Sequence, residues 1–155
     1  MHENLIIRPA NVDDVDAIFD FIQGLAEYEK LTSQVTGNAN KLKEDLFGEK
    51  PYAEAIIAQL DEKSVGYGLF FYSYSTFLTQ AGIYIEDLFV TPDYRHQGIG
   101  TALLSHIIQL AKSRDYGRVE WSVLDWNQPA IDLYQKMGAD ILPDWRICRV
   151  VLKDK

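Results

Sequence analysis

The stretch "IYIEDLFVTPDYRHQGIGTALLSHIIQLAKSR", Ile83 to Arg114, constrains the fold more than any other part of the chain. "IYIEDLFV" is rich in β-branched and aromatic residues and is stopped by Thr91-Pro92, so it reads as a strand. From Ile99 to about Arg114, Leu103, Ile107, Leu110 and Ala111 fall on one stripe of a helix. Between the two lie a basic residue, Arg95, and two glycines, Gly98 and Gly100. A helix begins with unpaired N–H groups and a partial positive charge. Glycine lets an anion reach them, because it has no Cβ and tolerates positive φ. Arg95 adds a cation with a fork of donors. "RHQGIG" therefore predicts a phosphate or pyrophosphate cradle between a strand and a helix.

The rest of the chain gives this junction a context. "NLIIRPA" reads as a short strand stopped by Pro9. A helix follows, with Asn11 as N-cap, Asp13 and Asp14 in its first turn, and an apolar stripe of Val15, Ile18, Phe19, Ile22, Leu25 and Ala26. The chain loops around "LTSQVTGNAN", and a short helix through "ANKLKEDLFG" ends at Gly48. "AEAIIAQL" leads through the polar turn "DEKS" into "VGYGLFFYSY", an antiparallel hairpin. After the junction come a strand "RVEWSVL", a helix from about Gln128 to Lys136 closed by Gly138, and a last strand "WRICRVVL". The order β-α-α-β-β-β-α-β-α-β predicts a mixed α/β chain in one domain, 1–155. Antiparallel strands come first and β-α-β crossovers after them.

Composition narrows the ligand. The net charge is 15 minus 23, or −8, which argues against nucleic acid and anionic membranes and is compatible with cationic small molecules. Cys148 is the only cysteine, so neither an intrachain disulfide nor a cysteine metal cluster is expected. His2, His96 and His106 are scattered without ligand spacing, so no metal is expected. "MHENLIIRPA" lacks the features of a signal peptide, and no apolar run approaches the ~20 residues of a membrane span. A cytoplasmic protein is the expectation.

Two phosphate loops fit poorly. A P-loop needs a Lys after its second glycine, and none follows Gly100. A dinucleotide fingerprint needs Gly or Ala where Leu103 stands, although Glu120 falls near the place of its ribose acid. The antiparallel strands upstream also fit the Rossmann order poorly, which disfavours a dinucleotide-binding oxidoreductase. The pattern [RQ]-x-x-G-x-[GA] is matched by Arg95, Gly98 and Gly100. It resembles the coenzyme A pyrophosphate loop of the GNAT acetyltransferases. "IRPA", "LAEYEK", "FGEKP", "IYIEDLFVTPDYRHQGIG", "WNQPAIDLYQKMGA" and "DWR" extend the resemblance over almost the whole chain. Within GNAT the chain resembles the diamine, or spermidine/spermine-type, N-acetyltransferases.

The resemblance implies an α/β (α+β) fold. Its mixed, mostly antiparallel central sheet has helices on both faces, and a bulge in "EDLFV" splays that strand from the next to make the cofactor cleft. It implies transfer of an acetyl group from acetyl-CoA to a primary amine of a small cationic acceptor, a diamine or polyamine, by direct attack on the thioester. Relatives in the same branch acetylate thialysine or lysine-like amines. A non-catalytic acyl-CoA-binding regulator is the alternative of another class, disfavoured by the intact Tyr134. A homodimer is also implied, with no nucleic-acid or membrane partner.

The chemistry needs a neutral amine, a donor for the oxyanion, and a proton for the leaving thiolate. Tyr134 lies seven residues after Asn127, about two helical turns, and a phenol with pKa near ~10 stays protonated at neutral pH. By resemblance Tyr134 is the general acid. Asn127, Pro129 and Ala130 contact the cofactor, as do the loop residues Arg95, His96, Gln97, Gly98, Ile99, Gly100 and Thr101. Leu88, Phe89 and Val90 meet it through their backbone. Glu86 and Asp87 are adjacent in a strand, so at least one enters a buried face unless the bulge changes the alternation. By resemblance the acceptor amine lies near Glu86, while an ion pair of Glu86 with a core-facing Arg8 is the alternative. Tyr28 and Glu29 line the acceptor channel by resemblance, against the alternative of a solvated helix surface. Glu120, Ser122 and Asp144 occupy similar family positions. Where the family carries an acidic-aromatic pair after the third strand, this chain has "YSTFLTQ", which weakens the expectation of a long polyamine.

Overall fold

The structure, a computed structural model, describes residues 4–152, so His2 lies outside the described residues. Contacts divide the chain into two compact units, one ending at Ser122 and the other starting at Val123. In the first unit, β1 (Leu5–Pro9) leads through a 3-10 turn (Val12–Asp14) into α1 (Val15–Glu29) and α2 (Ala39–Phe47). β2 (Glu54–Leu60), β3 (Lys63–Ser75), β4 (Gln80–Val90), α3 (Ile99–Ser113) and a short β5 (Val119–Trp121) follow. The strands form one sheet in the order β1-β2-β3-β4-β5. β1 to β4 are antiparallel to their neighbours, and β5 is parallel to β4. The β2–β3 turn is tight because Asp61 and Glu62 both take positive φ, 50° and 67°.

Each face of the sheet carries a helix layer. On one face Ile18 and Phe21 of α1 and Leu46 of α2 pack with Ala55, Ile57, Tyr67, Leu69 and Phe89. The expected α1 stripe named Phe19, yet the buried phenylalanine is Phe21, whose ring stacks on Tyr67 at 5.6 Å. Helical period admits either position, and the buried ring across the interface decides between them. α1 can press this close because Gly24 has no Cβ, and one placed there would lie 2.8 Å from Phe89 Cζ. On the other face, α3 buries Ile99, Leu103, Leu104, Ile107 and Ala111.

One irregularity organises the sheet. Leu69 pairs with Asp87, but the next residue, Phe70, pairs with Ile85, so Glu86 is an extra residue on β4. This is a β-bulge. Leu69 and Phe71 share one face of β3, so their partners Asp87 and Tyr84 share it too, although they are three residues apart. Pairing of β4 with β5 runs only from Ile83 to Ile85. Beyond the bulge, the edge of β4 on that side has no ladder partner in β5. The splayed arrangement expected from the resemblance is therefore present.

The second unit contains α4 (Gln128–Lys136). Gly138 follows at φ 98°, as its expected closing role requires. The last expected strand, "WRICRVVL", is not formed: no strand follows α4 among the described residues, and Trp145, Ile147, Val150, Val151 and Leu152 are exposed. Apolar and β-branched residues suit a pleated surface, but a strand also needs a neighbour to complete its ladder.

The start of α1 is pinned by one ion pair. Arg8 donates to both carboxylate oxygens of Asp14, at 2.8 and 2.9 Å. Asp14 also accepts from the Asn11 N–H, and Asn11 accepts from the Asp13 N–H, so each satisfies a donor of the first turn. Arg8 holds the Asp14 carboxyl below the usual carboxylate range, against the opposing effect of burial. Stability from this group is thus present above the unfolded carboxylate pKa and lost as pH falls through the depressed folded value. Asp14→Ala should cost about 1–3 kcal/mol at neutral pH, as loss of a cap and a charged hydrogen bond. Urea titrations should show the gap to wild type narrowing in acid; a gap independent of pH would deny the ion pair its role.

Candidate active site

The last turn of α1 and the bulge of β4 bring three acids into electrostatic contact. Glu29 is the final residue of α1, ahead of Lys30 in the left-handed conformation at φ 62°. That end of a helix carries partial negative charge and is unfavourable for an acid. Asp87 is half-buried, and Glu86, the bulged residue, is exposed. Burial pushes the Glu29 carboxyl above its ordinary range, and repulsion from Asp87 and Glu86 adds to this. Asp87 is also pushed up, first by burial and then by Glu86, while a hydrogen bond from Tyr67 opposes the shift. Tyr67 is fully buried and donates its hydroxyl to Asp87 Oδ2 at 2.5 Å. Burial, and after it the Asp87 charge, holds the Tyr67 phenol well above its ordinary value, so it stays neutral and remains a donor. Partly desolvated like charges of this kind favour a cation among them.

The same face continues across the sheet. Tyr84 lies opposite Glu120 of β5, and its hydroxyl is 2.7 Å from the Ser122 hydroxyl. Glu120 forms an ion pair with Arg118 Nε at 3.2 Å, which offsets part of its charge. The alternative pairing of Glu86 with Arg8 is not made, because Arg8 is committed to Asp14. Tyr28, one residue before Glu29, is exposed and lies under the Arg95 guanidinium, 4.8 Å from the ring centroid.

The loop before α3 has the form an anion needs. Gly98, at the N-cap, sits at φ 82° and supplies no side-chain cap, so the first N–H groups of α3 are left to a ligand or solvent. The helix ladder starts only with Ala102 N–H to the Gly98 carbonyl, after Ile99, Gly100 and Thr101. A Cβ built on Gly98 would meet nothing within 4 Å, and one on Gly100 only Val90 Cγ2 at 3.9 Å. With no Cβ at either position and no atom packed closer than that, the backbone is open to close approach by an anion such as a phosphate group. His96 is also left-handed, at φ 63°, an uncommon conformation for a non-glycine residue. Gln97 Nε2 reaches back to the Asp93 carbonyl at 3.5 Å. Arg95 does more than lend a charge. Its Nε donates to the Val90 carbonyl at 2.9 Å and its guanidinium covers the rings of Tyr28 and Phe89. Leu88, Phe89 and Val90 follow the bulge, on the stretch of β4 whose outer edge has no partner in β5.

The remaining expected residues belong to the second unit. Asn127 occupies the N-cap position of α4, with no capping hydrogen bond from its side chain. Pro129 and Ala130 lie in the first turn, and Tyr134 is half-buried two turns on. Asp144 is exposed in a segment without regular structure. The structure therefore gathers Tyr28, Glu29, Glu86, Asp87, Glu120 and Ser122 within the first unit, and Asn127, Pro129, Ala130 and Tyr134 on α4. Sequence reasoning missed Tyr67 and Tyr84. The one available signal was a tyrosine two residues before Leu69 in a buried strand, whose hydroxyl had to find a partner.

Residues 22–139 match the Acetyltransferase (GNAT) family. Over 144 residues the chain is 38% identical to a thialysine N-epsilon-acetyltransferase of Sus scrofa, covering 88% of this chain and 84% of that protein. It is 30% identical to an L-ornithine N5-acetyltransferase of Arabidopsis thaliana, with 93% and 83% covered. An aminoglycoside acetyltransferase from an uncultured soil metagenome, crystallised with trehalose, superposes with a TM-score of 0.79 at 18% identity over 97% of both chains. The chain belongs to the GNAT family and is an acetyltransferase. GNAT acetyltransferases use acetyl-CoA, and the open, uncapped start of α3 suits its phosphates.

The acidic face has a thermodynamic consequence. Asp87 and Glu29 both have raised folded-state values. From the unfolded carboxylate pKa up to those values the native state binds more protons, so stability falls as pH rises through the window. Asp87→Asn removes one charge and keeps an acceptor for Tyr67. The variant should melt higher than wild type at neutral pH, by about 2–4 °C for each kcal/mol relieved. The difference should vanish near the unfolded carboxylate pKa. Equal or lower melting at neutral pH would mean that the buried charge carries no penalty.

Proposed function

We propose that this chain moves the acetyl group of acetyl-CoA onto the terminal primary amine of a small acceptor that carries a second positive charge. The observation that carries the reading is the bulge in β4. On one strand it joins an acidic face, suited to a cationic amine, to a backbone edge free to hold an oxyanion. The names of the relatives, thialysine and L-ornithine acetyltransferases, support an ω-amino acid as acceptor. A diamine or polyamine is the second reading. It is favoured by Glu29, Glu86 and Asp87, which attract a second ammonium and repel an α-carboxylate.

The acceptor arrives as an ammonium and must lose a proton to gain a nucleophilic lone pair. Glu86, exposed on the bulge, takes that proton through water. The nitrogen then attacks the thioester carbonyl: the C–N bond forms, and the C–S bond breaks as the tetrahedral centre collapses. Backbone N–H groups of Leu88 to Val90 stabilise the oxyanion, Tyr134 gives its proton to the departing thiolate, and the second proton that the nitrogen sheds as the amide forms returns through solvent to the Tyr134 phenolate. Acids around the amine stabilise its ammonium form, so kcat/KM rises with pH.

An amine panel with acetyl-CoA, read by thiol release, tests the reading. Thialysine, ornithine and linear diamines should exceed n-alkylamines of equal length; equal rates with monoamines would remove the acidic face from recognition. Tyr134→Phe should lower kcat by roughly 10²–10⁴-fold with acetyl-CoA affinity nearly kept. Wild-type turnover would return Tyr134 to a structural role. Gly100→Val separates the anion loop from the chemistry. The position has room for a side chain, so the fold should survive, but the methyls crowd the amides at the start of α3. Calorimetry should show acetyl-CoA affinity reduced at least about tenfold, the scale of one lost charge-assisted hydrogen bond; unchanged affinity would make the loop a simple turn.

A further inference from the structure

We propose that Tyr67 is a positioning residue of the acceptor site: by donating to Asp87 Oδ2 it holds that carboxylate in one orientation and presents Oδ1 to the acceptor's ammonium. This rests on the reading of the acidic face as the acceptor site. Tyr67 is 0% exposed, and its ring is packed by Phe21. Packing alone would be served as well by phenylalanine, since a buried hydroxyl costs free energy unless it is bonded. The partner it finds is an acid twenty residues away, brought to its face by the bulge. Tyr67 lies opposite Phe89 and Leu69 opposite Asp87, so the hydroxyl reaches diagonally across the β3–β4 ladder. Among the described residues no buried side-chain oxygen or nitrogen lacks a partner. Tyr67 takes one Asp87 oxygen, which leaves the other open to solvent and to a ligand.

The groups around Asp87 make this bond consequential. Glu29 at the end of α1 and Glu86 on β4 are like charges, and burial also favours the neutral acid. Arg95 is stacked on Tyr28 and Phe89 and bonded to the Val90 carbonyl, and does not act on Asp87. Glu120 on β5 is matched by Arg118. Of the influences on Asp87, the Tyr67 hydroxyl is the one that favours the charged form. An acceptor ammonium needs that charge.

Tyr67→Phe removes the donor and keeps the ring. The KM for thialysine and for 1,5-diaminopentane should rise roughly ten- to hundredfold, the range for a hydrogen bond to a charged group. kcat and acetyl-CoA affinity should change little, and the acid limb of kcat/KM should move to higher pH. In an Asp87→Asn background the same change should do almost nothing further, because Tyr67 acts through Asp87. Carbon-13 carboxyl NMR, which needs no turnover, should show Asp87 titrating at higher pH in Tyr67→Phe than in wild type. An unmoved Asp87 titration, or a KM effect that persists in the Asp87→Asn background, overturns the proposal. If the titration moves and acceptor KM does not, Asp87 is no acceptor ligand and the proposal also fails. A wild type that acetylates no amine in the panel sinks the proposed function instead, while the titration still decides whether Tyr67 holds Asp87.

Discussion

The site depends on one extra residue in one strand. Strict alternation would set Asp87 on the same face as Ile85, buried against α3. The bulge at Glu86 resets the phase, so Asp87 joins Tyr84, Tyr67 and Phe89 on the α1 face. The same irregularity coincides with the end of β4–β5 pairing at Ile85. A single insertion thus supplies both the acid on the α1 face and the free backbone edge beside it. The price is local: a residue left out of the ladder and a carboxylate placed against a hydrophobic core.

That placement is tolerated because the surrounding contacts are strong and their polar groups are satisfied. Phe21, Tyr67 and Phe89 form an aromatic group under the acids, with Phe21 5.6 Å from Tyr67 and 6.1 Å from Phe89. The entry to α1 is fixed far from the acids by Arg8 and Asp14, a pair of opposite charges. The two ends of α1 therefore behave oppositely. Asp14, at the start, is stabilised as an anion, whereas Glu29, at the end, is destabilised as one. Frustration of this sort, confined to one end of a well-anchored helix, is the pattern expected where binding supplies the missing counter-charge.

Much of this was legible in the sequence, and what was not has a definite cause. Helix periodicity, the glycine-bearing junction and the stops at Pro9 and Thr91-Pro92 are local signals, and β1 to β5 and α1 to α4 follow from them. The acids were visible too, because Glu86 and Asp87 adjacent in a strand cannot both face water without an irregularity. The Tyr67–Asp87 bond was not visible, since its partners are set by a register shift, a non-local property. The choice of Phe21 over Phe19 depends in the same way on the Tyr67 ring. The segment "WRICRVVL" was misread because β propensity describes one side of a pairing and carries no information about the other. Trp145 is 79% exposed and Leu152 90% exposed, so the apolar content that suggested a strand stands without one.

Arg95 ties the loop before α3 to the sheet and to α1. In the sequence it reads as a cation for a phosphate. In the fold its Nε secures the end of β4 through the Val90 carbonyl, and its flat face spans Phe89 of the sheet and Tyr28 of α1. A guanidinium suits this, since it can hydrogen-bond in its plane while stacking above and below it; a lysine could not do both. The residue that opens the anion loop therefore also orders the helix turn that carries Glu29. Any ligand that draws Arg95 toward phosphate must do so against those ring contacts. The anion loop and the acidic face are thus joined through one side chain.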